Sequence, residues 1–127
     1  MNTYKYEDII KITLKRFPEF KDSEEFKRAE SDLELPHVVY GYFTDFIKKI
    51  LENNGEKDPI IKKFIVFTNE LFEDSDSDPK SLDLFYVEIF EGLYESKELF
   101  NFARNNFMGK VLIGFEITGK SRLKNYK

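Results

Sequence analysis

The chain contains no cysteine, no tryptophan and a single histidine in 127 residues. Without cysteine there are no disulfides, no thiolate nucleophile and no sulfur-ligated zinc. The redox compartment stays open, and a reducing cytosol is compatible. No apolar run approaches the roughly 20 residues that span a bilayer, and the amino terminus, MNTYKYEDIIK, is charged throughout with no apolar core of a signal peptide. A soluble, cytoplasmic protein with no membrane partner is expected. The sequence also lacks GxGxxG, the Walker-type GxxxxGKS/T, GxSxG and HExxH, so phosphate-cradling loops and the commonest hydrolase signatures are excluded at the level of motif. Neither a cofactor nor a metal is expected, and the chain does not read as an enzyme.

What is present is a surplus of rings. Fourteen Phe and seven Tyr supply large apolar areas, and the chain is long enough to bury well over half of its unfolded surface in one domain, residues 1–127. Net charge is −4, unevenly spread: Asp and Glu against Lys and Arg stand at 13 to 12 in residues 1–69, 10 to 2 in 70–98, and 1 to 6 in 99–127. An acidic middle is followed by a basic tail from about residue 119, which is expected to fray.

Hydrophobic spacing predicts helices almost throughout. The stretch Ser81–Ser96 carries apolar side chains nearly all round a helix, with Glu88, Glu91 and Glu95 as one narrow polar stripe, and is expected to be the covered, central helix. Before it, Tyr6, Ile9, Ile10, Thr13, Leu14 and Phe17 mark a first helix closed by Pro18. Asp22 with Glu25 suggests a capping-box start to a second, carrying Phe26, Ala29 and Leu33. Pro36 opens the clearest series, from Val39 to Leu51, with Asp45, Lys48, Lys49 and Glu52 on its exposed side and Asn53-Asn54-Gly55 as its stop.

Asp58-Pro59 starts another helix running to about Phe72, expected to form a hairpin with the central one, whose own cap is Asp78 or Ser81. Ser96 caps a helix ending at Gly109, and residues 110–119 fit either a strand or a short helix, with helix preferred because a lone strand has no partner. The fold class is therefore all-α, a compact bundle or a short helical-repeat stack of about five to six antiparallel helices.

Several groups invite a chemical reading. Asp74, Asp76 and Asp78 alternate like the start of an EF-hand loop, but Pro79 stands where glycine is required and Phe85 where a bidentate glutamate is required, so a solvated acidic loop is expected instead. His37, in the first turn of a helix, could serve as a neutral base, yet it has no recognisable nucleophile partner, and only a deep pocket converging on it would support catalysis. Glu88, Glu91 and Glu95 lack the paired Glu-x-x-His units of carboxylate-bridged metal sites in bundles. Lys120, Arg122, Lys124 and Lys127 are too few for a phosphate-binding surface, and no nucleic-acid partner is expected.

The charge asymmetry is the remaining functional signal. Residues 70–98 carry a net −8. If Glu70, Glu73, Asp74, Asp76, Asp78, Glu88, Glu91 and Glu95 share a face, they would steer a basic protein partner. Over roughly residues 36–109 the segments PHVVYGYFTDFIKKIL, FIVFTNELFEDSDSD and DLFYVEIFEGLYES, by their apolar spacing and by the pieces LPHVVYG and VEIFEGL, resemble a family of small all-helical bacterial proteins, some encoded beside secreted toxins as immunity proteins. The resemblance implies an immunity or antitoxin-like protein that binds and neutralises a cognate basic toxin through an acidic face. The alternative is a helical adaptor that holds an amphipathic segment in an aromatic groove.

Overall fold

A computed structural model describes the backbone of residues 5–73 and 78–123, and side chains as far as Gly119. Among these residues the secondary structure is entirely helical. A 3-10 turn at Tyr6–Asp8 leads into α1 (Ile9–Arg16), and Pro18 opens the short α2 (Pro18–Lys21) rather than only ending α1. Ser23 is the cap of α3 (Glu24–Ala29): its hydroxyl accepts from the Phe26 amide, a role the sequence had suggested for Asp22. Phe26 and Ala29 are buried, whereas Leu33 is exposed.

Pro36 occupies the first turn of α4 (Pro36–Asn54), and Gly55, at φ +80°, closes it in the backbone region that side chains with a Cβ avoid. The Asp58 carboxylate accepts from the Ile60 amide and starts α5 (Pro59–Glu73). Asp78 does the same for the Lys80 amide at the head of α6 (Pro79–Leu84). From α6 the chain continues through a π-helical turn, Phe85–Phe90, into α7 (Glu91–Leu93), so Pro79–Leu93 is one rod with a widened centre.

That widened turn follows from the spacing of the core residues. Leu84-Phe85, Ile89-Phe90 and Leu93-Tyr94 are all buried, in steps of five and then four residues. In an α-helix a five-residue step swings the second pair about 140° off the first, and a turn closed from i to i+5 brings it back. Burial is accordingly one-sided: Val87 is 43% exposed, which corrects the expectation of a helix covered on nearly every side.

The rod lies chiefly along α4, and α5 packs most extensively against the last helix while meeting the central rod through ring contacts such as Phe67–Phe85 and Phe72–Phe90. Ser96 caps α8 (Lys97–Asn106) by accepting from the Leu99 amide. Phe107 is extended, and Gly109, at φ +60°, begins α9 (Gly109–Leu123) instead of ending α8. The ambiguous segment 110–119 is thus helical, and the helix runs into the basic tail as far as Leu123.

The core is one connected cluster built largely of rings. Phe43 has the rings of Phe17, Phe20 and Tyr40 at 5.0, 5.3 and 5.5 Å between centroids. Phe90 has those of Tyr86, Phe115 and Phe72 at 5.0, 5.2 and 5.6 Å. Phe85 bridges the two groups, 5.2 Å from Tyr40 and 6.1 Å from Phe72. Most of these pairs are edge-on or tilted, as ring quadrupoles favour. The buried Tyr40 hydroxyl meets Thr13, whose own hydroxyl donates to the Ile9 carbonyl, and this polar link ties α1 to α4.

Candidate functional site

Where α4 and the central rod run side by side, their solvent-facing edges enclose an open cleft of about 660 Å³. The α4 wall supplies His37, Val38, Gly41, Tyr42, Thr44, Asp45 and Lys48; the rod and the turn after it supply Val87, Glu88, Glu91, Gly92, Tyr94 and Glu95. Gly92 sets how closely the walls approach. A Cβ built on it would lie 2.5 Å from the Thr44 methyl group, so only glycine lets the rod sit this near α4.

Two polar bridges cross the cleft. His37 Nδ1 lies 3.0 Å from a Glu88 carboxylate oxygen, and the Lys48 ammonium donates to Glu95 while also lying 3.8 Å from Asp45. Both are partly solvated and screened, so they orient side chains more than they stabilise the fold. A carboxylate-oriented imidazole can in principle move a proton. Here the ring stands at the rim of an open cleft and is 43% exposed. The Thr44 hydroxyl, on the same wall, donates to the Tyr40 carbonyl within its own helix. Among the described residues no three carboxylates or imidazoles are grouped so as to hold a metal ion.

A second cleft, of about 710 Å³, continues from the first past Lys48 and Glu95, which line both. Leu51, Leu99 and Phe102 give it apolar walls, and Glu52, Glu56 and Glu98 add carboxylates. Among the described residues the two clefts together are lined by seven carboxylates against one ammonium and one imidazole.

The acidic residues singled out from the sequence are divided among several neighbourhoods. Glu88, Glu91 and Glu95 line the first cleft together. Glu70 is 2.8 Å from Arg16 on α1, whose guanidinium also stands over the Phe67 ring. Glu73 accepts from the Lys110 amide at the head of α9. Asp78 accepts from the Lys80 and Tyr6 amides, in that order of effect, and these bonds hold its carboxyl below the usual carboxylate range. Asp74 and Asp76 lie outside the described residues, as do the side chains of Lys120, Arg122, Lys124 and Lys127.

Sequence reasoning assigned no site role to Asp45, Glu52, Glu56 or Glu98. Asp45 and Glu52 were legible as one solvent stripe of α4, seven residues apart, but nothing in the sequence said that this stripe faces the stripe of the central rod.

No protein-family model, curated protein or solved structure matches this chain. Among the described residues no helix is long and apolar enough to cross a membrane.

Proposed function

We propose that the chain is a protein-binding module of the immunity or antitoxin kind, which captures a cognate basic toxin through carboxylates and so neutralises it. The supporting observation is the convergence of Glu88, Glu91, Glu95 and Asp45 on one cleft. Carboxylates gathered along low-dielectric walls focus the field, speed encounter with a cationic surface and disfavour acidic competitors. The toxin direction rests on the family resemblance, and the two short pieces that carry it line opposite walls of the cleft. His37, Val38 and Gly41, from LPHVVYG, form one wall, and Val87, Glu88, Glu91 and Gly92, from VEIFEGL, form the other. The apolar lining of the second cleft favours the adaptor reading, in which an amphipathic segment is held without any toxin.

Co-expression with the product of the neighbouring gene tests the proposal. A stable complex that relieves toxicity, lost when Glu88, Glu91 and Glu95 are changed together to Lys, is expected. A complex indifferent to that reversal, or no complex, overturns it.

A further inference from the structure

We infer that the occupant of the joined clefts is a basic amphipathic helix of about four turns, one of whose cations displaces Lys48 from Glu95. This rests on the reading of the chain as a binding module and names the partner's form. Three observations lead to it. The first is continuity: Lys48 and Glu95 line both clefts, so the two form one groove with the Lys48–Glu95 ion pair at their junction. From His37 to Glu52 its α4 wall spans sixteen residues, about 22 Å at the α-helical rise, which is the length of a four-turn guest.

The second is the lining itself. Val38 and Val87 are 36% and 43% exposed at one end, and Leu51, Leu99 and Phe102 stand at the other. An apolar stripe fits between these points while flanking Lys or Arg side chains reach the carboxylates, and that pattern of three- and four-residue spacing belongs to a helix. An extended guest gains less here. The described residues offer no strand edge to pair with, so its backbone would depend on water, whereas a helix satisfies its own.

The third is Lys48. It is only 20% exposed, lies between Asp45 and Glu95 where the clefts meet, and is the one ammonium that the described residues bring to the groove. It stands where a guest's cation is best placed, so host and guest compete for Glu95.

The test uses the full chain and a designed helical peptide of about sixteen residues, with a Leu stripe and Lys flanks, beside a scrambled peptide of the same composition that has no stripe. Calorimetry gives the affinities and amide chemical shifts locate the site. Expected are binding of the striped peptide with shifts confined to the groove, at least about tenfold weaker binding of the scramble, and an approximately threefold tightening in Lys48→Met as the internal competitor is removed.

Equal binding of both peptides, or shifts elsewhere, overturns the helical occupant and leaves acidic capture of a toxin standing. Weaker binding by Lys48→Met overturns the displacement, and Lys48→Gln repeats that arm should the Met variant fold poorly. Conversely, if the striped helix seats in the groove and the neighbouring gene's product is ignored, the toxin reading fails and the groove assignment survives.

Discussion

Gly92 and Thr44 are in contact across the two walls of the cleft: a single methyl group added to Gly92 would come within 2.5 Å of the Thr44 methyl. Since Thr44 is buried in the middle of α4 and its hydroxyl is held by the Tyr40 carbonyl, it cannot swing clear without cost. The separation of the walls, and with it the placing of Glu88 and Glu91 against His37 and Lys48, depends on this missing side chain.

Gly92→Ala is therefore predicted to destabilise the fold by about 1–3 kcal/mol through overpacking. Gly41, on the same cleft, gives the opposite sign. Its added Cβ would meet only a Glu88 oxygen at an ordinary 3.6 Å, and a mid-helix Gly→Ala change then stabilises by about 0.5–1 kcal/mol. Denaturant unfolding of the two variants checks the pair of signs.

The π-helical turn allows a deletion that an α-helix would not tolerate. Removing the exposed Val87 leaves Leu84-Phe85 and Ile89-Phe90 four residues apart, a spacing that an ordinary α-turn places on one face. The shortened chain is predicted to keep its helical circular dichroism and a cooperative melt. Deleting Asp45 from the regular α4 is predicted to abolish the cooperative melt, because Phe46 and Ile47 would rotate out of the core.

Phe90 is fully buried and in ring contact with α5, α9 and the chain before α9. Phe90→Ala is predicted to cost about 3–5 kcal/mol in equilibrium unfolding. Val87→Ala, three residues away on the solvent side, should change stability by no more than about 0.5 kcal/mol.

Asp78 joins the start of α6 to the amino-terminal turn, and its carboxyl is held low by the Lys80 amide first and the Tyr6 amide second. A folded-state value below the unfolded one means that this link stabilises above the ordinary aspartate range. It is lost as pH falls through the depressed folded-state value. The Tyr6 and Lys80 amide resonances should titrate together at acid pH, with a midpoint below that of a free aspartate, and the titration should vanish in Asp78→Asn. Independent behaviour of the Tyr6 resonance would contradict the bridge.

Part of this structure is legible in the residues. α4 was plain because three signals agree along it: Pro36 at the start, a sustained apolar period and Asn53-Asn54-Gly55 at the stop. Asp58 and Ser96 announced their helices equally well, and so did Asp78, offered beside Ser81. The five-then-four spacing in the central rod was present in the sequence but is ambiguous there, since a helix apolar all round gives the same letters until burial separates Val87 from Phe85 and Phe90.

Gly109 misled because glycine at positive φ serves equally at the end of one helix and in the entry to the next. The groove was the least legible feature. Each acidic stripe can be found on its own helix, but their meeting depends on the close approach at Gly92 and Thr44, which is a property of packing.

The most direct measurement is the affinity of the chain for the product of the neighbouring gene, compared between Glu88, Glu91 and Glu95 reversed together to Lys and Glu70→Lys, whose carboxylate is held by Arg16 on another part of the surface. Binding that falls by at least about tenfold only in the groove variant, with a salt dependence that disappears alongside it, is the predicted result. Equal affinities for the two variants, or an equal loss in both, would contradict a cation-binding groove.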